Sequence, residues 1–239
     1  MKKLDKHSFD KPMIITFAGT VGSGKSTQMK LLASNLDAKE FRVETTFLKS
    51  GHLLAYLLEV FLAKLCTGER GKISPIRALI EKRAALLRRL FKLWLILDML
   101  SVLTRFLLRV YLPAKAGHIV LVEEYLPATI ADYFYISKAL GSSAKEISCT
   151  LNFMCRLLHL GGPILTVFLD APDSILEDRW NKRGSPREYF DYLQMQHTLL
   201  FSLYKRFSHC FLYVNTSNGT IDEIHEEIAM LCRGSLGLK

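Results

Sequence analysis

The chain has 239 residues, 49% of them apolar, which fits one compact domain with a sizeable core. Its net charge of +9 suits a polyanionic partner (nucleotide, nucleic acid or anionic membrane) without choosing among them. The five cysteines, Cys66, Cys149, Cys155, Cys210 and Cys232, are odd in number and lack Cys-x-x-Cys spacing, which excludes a disulfide framework and a zinc ribbon. Free, mostly buried thiols in a reducing cytoplasm are expected. Met1 to Lys11 is polar with charges of both signs, so no signal peptide is expected there.

The elements follow in chain order. Met13 to Ala18 reads as a buried strand, Gly19 to Ser26 as a loop, and Thr27 to Leu36 as a helix. Phe41 to Phe47, Ile119 to Val122, Ile164 to Leu169 and Cys210 to Val214 read as four further strands, the fourth strand being entered through Gly161-Gly162-Pro163. Helical patterns fill the gaps. Short apolar strands alternating with helices predict a parallel sheet covered on both faces, with ligands beyond the carboxyl ends of the strands. Ile76 to Leu112 reads as one long helix or two with a kink, apolar nearly all round. Its thin polar stripe is Arg88, Lys92, Asp98, Ser101, Arg105 and Arg109. A transmembrane span needs roughly 20 mostly apolar residues, and Lys92, Asp98 and Arg105 interrupt every window. The helix is therefore expected in the core or at a subunit interface, as in a homodimer, and membrane contact is not expected.

The decisive motif is Gly19-Thr20-Val21-Gly22-Ser23-Gly24-Lys25-Ser26, followed by Thr27, which fits G-x-x-x-x-G-K-[ST]. Glycines let the backbone approach a phosphate, and successive N–H groups form an anion nest. A helix starting near Lys25 adds its positive dipole end. Lys25 is expected on the β- and γ-phosphates of ATP, and Ser26 on Mg²⁺.

After the third strand stand Glu123-Glu124-Tyr125, where a carboxylate (Glu123) could organise the metal. Arg179-Trp180-Asn181-Lys182-Arg183-Gly184-Ser185-Pro186-Arg187 combines a basic helix end with a break. It suits a lid at about 180–188, with Arg179, Arg183 and Arg187 as catalytic charges beside Lys25 and Glu123. No aromatic–basic interleaving appears outside the middle helix, so nucleic-acid binding is not expected.

In these residues the chain resembles the thymidylate kinase family of nucleoside monophosphate kinases. The match runs through Phe17 to Gln28 (F-A-G-T-V-G-S-G-K-S-T-Q) and Phe168 to Arg179 (F-L-D-A-P-D-S-I-L-E-D-R). It continues through Glu188 to Tyr204, with Gln196, and Asn215 to Glu227. The resemblance implies a single domain over 1–239 of P-loop NTPase type, a three-layer α/β/α fold with a five-stranded parallel sheet and a short lid. It implies phosphoryl transfer from ATP to dTMP, giving dTDP, a homodimer packed through helices, and lid arginines as catalytic charge where the phosphate loop has none. This loop has none, and Arg183 could instead stack on adenine.

The acceptor half departs from the family. Glu123-Glu124-Tyr125 stands for Asp-Arg-Tyr, Lys49-Ser50-Gly51 for Arg-Glu-Pro, Leu97-Asp98-Met99 for Ala-Asp-Arg, and Ala131-Asp132-Tyr133 for Ala-Tyr-Gln. Arg105, Arg109, Lys49 or Lys72 could replace the missing arginines. The alternatives are a related kinase with another acceptor, including a more apolar alcohol, and an ATP-binding protein without kinase activity.

Overall fold

A computed structural model describes residues 13–39, 41–66, 74–161, 164–183 and 190–236. Five parallel strands form one sheet in the order β2-β3-β1-β4-β5: β1 (Met13–Ala18), β2 (Val43–Phe47), β3 (Ile119–Glu123), β4 (Ile164–Asp170) and β5 (Phe211–Asn215). The central β1 sets Ile15 opposite both Leu121 and Leu165. The second strand begins two residues later than expected, at Val43; Phe41 lies outside it, although its N–H still reaches Leu36 O at 3.3 Å.

The strand residues alternate between two cores, as a sheet covered on both faces requires. Ile15, Phe17, Leu121, Val167 and Leu169 face α1 (Lys25–Asp37) and α9 (Ile221–Leu236), against Met29, Leu32 and Ile228. Ile14, Val120 and Val122 face α2 (Leu53–Cys66), α3 (Pro75–Phe106), α5 (Leu126–Ala139) and α6 (Ala144–Leu160). Phe91, Trp94, Tyr133 and Met154 fill that second core. The chain from β4 to β5 supplies α7 (Asp173–Arg183) and α8 (Phe190–Arg206).

The middle helix is kinked at Arg83 (φ −143°, ψ 38°), so the two-part reading holds. Leu107–Tyr111 then turns as a π-helix ahead of α4 (Leu112–Lys115), where the Pro113 ring cannot follow a tight α-turn. The expected polar stripe is not one surface. Asp98 and Ser101 are buried, Arg88 is held by Glu146 of α6 through two bonds of 2.8 and 2.9 Å, and Arg105 lies 4.9 Å over the Phe47 ring. These four have partners within the fold, whereas Lys92 and Arg109 are exposed, as are Leu93, Ile96 and Leu100. The cysteines are unpaired, but the expectation of mostly buried thiols fails: only Cys232 is buried, while Cys149 and Cys155 are exposed. They lie on the solvent side of α6.

Candidate active site

The strand β1 delivers the chain into the phosphate loop at the carboxyl edge of the sheet, and α1 carries it away. Gly19 has φ +146°, and a Cβ there would strike the Leu169 carbonyl of β4. Gly24 precedes the helix with φ +95°, so the helix begins at Lys25, ahead of the expected Thr27. Ser23 N–H donates to Thr20 O at 3.3 Å and closes the turn. Among the described residues, Thr20 Oγ1 and Ser23 Oγ are buried without a hydrogen-bond partner, as polar atoms lining an anion cradle would be.

Lys25 is only 6% exposed, and its ammonium donates to Gly19 O at 2.8 Å and Thr20 O at 2.9 Å. It also meets Glu124 Oε1 at 3.1 Å. Next to it the Ser26 hydroxyl donates to Glu123 Oε1 at 2.5 Å. The motif and the end of β3 therefore converge, because β1 and β3 are paired neighbours with Phe17 opposite Glu123. An alcohol and a carboxylate at one point are hard oxygen donors, which fits Mg²⁺ in a site completed by phosphate oxygens. No cluster of three or more His, Cys, Asp or Glu suited to a metal occurs among the described residues.

Besides a cavity of about 540 Å³ between Thr20 and Val21 of the loop and the helices α7 and α8, two smaller cavities flank this centre. One, of about 270 Å³, lies over Gly22, Gly24 and Thr27 and is bounded by Arg179, Thr216 and Ile221. The other, of about 210 Å³, lies beyond β2 and β3 and is lined by Lys49, Arg77, Trp94, Asp132, Tyr135 and Tyr192. A dense polar network shapes its wall. Asp132 accepts from Ser50 Oγ and from Tyr192 OH, both at 2.6 Å. Asp98 accepts from Tyr133 OH at 2.7 Å and from Gly51 N–H at 2.8 Å. Trp94 Nε1 donates to Glu59 Oε1 at 2.8 Å.

Burial dominates the titration of these groups. It lifts Glu59 to about 7 against the Trp94 hydrogen bond, with Asp98 and Asp132 adding repulsion. It likewise lifts Asp98 to about 6 against its Tyr133 and Gly51 donors. Burial together with the charges of Arg105 and Lys49 pushes His52 down to about 4. For Lys49 burial favours the neutral amine, but the carboxylates of Asp132, Glu124 and Glu123 outweigh it and raise its pKa, so it stays charged.

No family model matches the chain. A thymidylate kinase from Pelobacter propionicus is 27% identical over 225 residues, covering 90% of each chain. Two solved thymidylate kinases share the fold. That of Ehrlichia chaffeensis has a TM-score of 0.51 and 20% identity, covering 93% of this chain and 99% of its own. That of Candida albicans has a TM-score of 0.56 and 13% identity, covering 96% of this chain and 94% of its own. The chain is similar to these thymidylate kinases over most of its length. Its five-stranded parallel sheet, phosphate loop and surrounding helices are the P-loop α/β arrangement of these neighbours.

The expected site residues fall into three groups. Gly19 to Thr27, Lys25, Ser26 and Glu123 come together. Arg179 sits elsewhere than expected. Its guanidinium donates to Thr216 O and Thr216 Oγ1, at 2.5 and 3.0 Å, and to Gly22 O at 3.4 Å, tying α7 to the phosphate loop and to the β5–α9 turn. It flanks the cavity bounded by Ile221 rather than the Ser26–Glu123 pair. Residues 184–189, with Arg187 and the break at Gly184-Ser185-Pro186, lie outside the described residues, as do the Arg183 side chain, Lys72, Gly162-Pro163 and Met1 to Lys11.

Of the cations weighed for the acceptor side, Lys49 lines the cavity there, whereas Arg105 is held at Phe47 and Arg109 is exposed. Sequence reasoning missed Arg77. The signal was available: Ser74-Pro75 starts a helix, so Arg77 belongs to the first turn of α3, whose amino end points at the same cavity. Glu59 was also missed, since a lone acid within an apolar helix carries no periodic signal.

Proposed function

We propose that the chain is an ATP- and magnesium-dependent nucleoside monophosphate kinase, with dTMP as acceptor and dTDP as product. The observation that carries the reading is the 2.5 Å meeting of Ser26 and Glu123 beside Lys25, between a cavity on each side. The name of its Pelobacter relative supplies the acceptor.

Ser26 and Glu123 are the residues that would hold the metal; bound there, Mg²⁺ neutralises β- and γ-phosphate oxygens. Loop amides and Lys25 hold the triphosphate at its bridging end. Lys49 and Arg77 hold the acceptor phosphate, in place of the family's arginines. An oxygen of that phosphate attacks the γ-phosphorus in line, the bond to the β–γ bridging oxygen breaks, and ADP leaves with its electron pair. Arg183 and Arg187 are the candidates for charge on the moving group. Unpaired cysteines agree with a cytoplasmic setting.

The test is a coupled assay of ADP release across deoxynucleoside and nucleoside monophosphates, with radiolabelled γ-phosphate followed into product. Label in dTDP, abolished by Lys25→Ala, is expected. ATP binding without label in any nucleoside diphosphate would overturn the kinase reading, and label only in another diphosphate would overturn dTMP.

A further inference from the structure

The helix α2 reads L-L-A-Y-L-L-E-V-F-L-A-K-L-C, and Glu59 is its single acid. It is 3% exposed and lines the cavity of about 210 Å³ beyond β2 and β3. Burying a carboxyl without partners for its oxygens is costly. Two acids stand among the residues lining that cavity, and they differ. Asp132 has both oxygens taken, Oδ1 by Tyr192 OH and Oδ2 by Ser50 Oγ, each at 2.6 Å. Glu59 Oε1 accepts from Trp94 Nε1 at 2.8 Å, whereas Oε2 has no hydrogen-bond partner among the described residues.

The carboxyl is held in a fixed direction. Trp94 is stacked on Phe91, with ring centres 6.0 Å apart, and meets Tyr133 edge-on at 5.9 Å. Gly51, at φ +72°, leaves room in front of it, since a Cβ there would stand 3.4 Å from Oε1. Burial lifts Glu59 to about 7, so near neutral pH much of it carries a proton. A neutral carboxyl offers an O–H donor that the carboxylate lacks, and in an apolar site it can donate to a carbonyl oxygen.

We propose that Glu59, as the neutral acid, is a specificity-determining residue that donates a hydrogen bond to a carbonyl oxygen of the acceptor's base. The inference rests on the kinase reading and names what the acceptor cavity recognises: a keto pyrimidine such as thymine, in preference to one with an amino group at that position. A site built to donate there leaves its donor unpaired against the amino group. Below about 7 Glu59 is a donor, and above it only an acceptor, so affinity for the carbonyl falls as pH rises. The shifted groups around the cavity do not titrate just above 7. Asp98 of α3, at about 6, has already ionised, and His52 after β2, at about 4, is already neutral. Burial keeps Tyr133 and Tyr135 of α5 and Tyr192 of α8 protonated, and Lys49 stays charged. Arg77 of α3 and Asp132 of α5 are the remaining charges facing the cavity.

The experiment is the coupled assay with dTMP and dCMP from about pH 6 to about pH 8.5, with calorimetric titration of dTMP at each end. The acceptor's own phosphate becomes dianionic near about pH 6, so it adds little above 7. In the parent, KM for dTMP should rise about tenfold between about pH 7 and 8.5, with kcat changing much less, and the preference for dTMP over dCMP in kcat/KM should fall. Glu59→Gln keeps a donor and an acceptor but has no proton to lose, so its KM for dTMP should stay flat. A cooperative thermal transition establishes that the variant folds, and the parent's own profile is a test without it. A parent KM independent of pH above 7 overturns the inference and leaves the kinase reading standing. A rise that persists in Glu59→Gln overturns it as well, because another group then titrates. Absence of dTMP binding and transfer at every pH overturns the dTMP reading itself, and the inference with it.

Discussion

Lys25 illustrates how much one residue must satisfy: two carbonyls and the Glu124 carboxylate hold its ammonium within a buried loop. A phosphate oxygen must compete with Glu124 for it. Glu124→Gln should therefore tighten ATP binding, read by calorimetry, whereas Lys25→Ala should abolish transfer. Glu123→Gln leaves Ser26 a weaker oxygen partner and should lower turnover by about a hundredfold at saturating magnesium, with a smaller change in ATP affinity. Glu59 supports a different forecast. Its folded pKa, about 7, exceeds the ordinary glutamate value of about 4.5 because burial disfavours the anion. The unfolded chain then loses its proton first as pH rises. The stabilising contribution is complete below about 4.5 and is lost on the way through 7, amounting to as much as roughly 3 kcal/mol. Glu59→Gln keeps an acceptor for Trp94 Nε1, so its melting temperature should vary less with pH across this window than that of the parent. The motif residues were legible in the sequence because phosphate binding imposes fixed spacing. Glu59 and Arg77 were not, because their neighbours come from other helices.

Among the elements, α7 ties the phosphate loop to the β5–α9 turn. Arg179 binds Thr216 and Gly22, and we propose that it positions the loop around the nucleotide. Arg179→Ala should raise KM for ATP more than it lowers kcat. Arg187→Ala, if that residue carries catalytic charge, should do the reverse, lowering kcat by about a hundredfold. Steady-state kinetics with the true acceptor separates the two patterns. The start of α6 joins Ser143 and Glu146 in a capping box while Glu146 also holds Arg88 of α3. Glu146→Ala should lower the melting temperature more than Arg88→Ala, since it removes both functions. The long helix was legible from its apolar residues, including its kink. Its orientation was not: apolar residues nearly all round leave no face to choose, and the buried Asp98 and Ser101 belong to the same thin polar stripe as the exposed Lys92 and Arg109.

At the scale of the whole molecule, the parallel sheet followed from five short apolar runs separated by helical stretches, because parallel pairing requires crossovers of that kind. The strand order was not in the runs themselves, since neighbours in a parallel sheet need not be neighbours in sequence. That order has a consequence for how the chain acquires its structure. The first strand made, β1, is central, and its partners β3 and β4 emerge only after the α2–α3 hairpin and after α6. Closing such distant pairs before any reward from packing slows folding into the millisecond-to-second range typical of non-local topologies. The nascent amino-terminal half would meanwhile hold β1 unpaired alongside the leucines of α2 and α3. Refolding followed through the fluorescence of Trp94, buried in the larger core, should therefore show a slow phase, and a chain ending before β4 should fail to protect its β1 amides from hydrogen exchange.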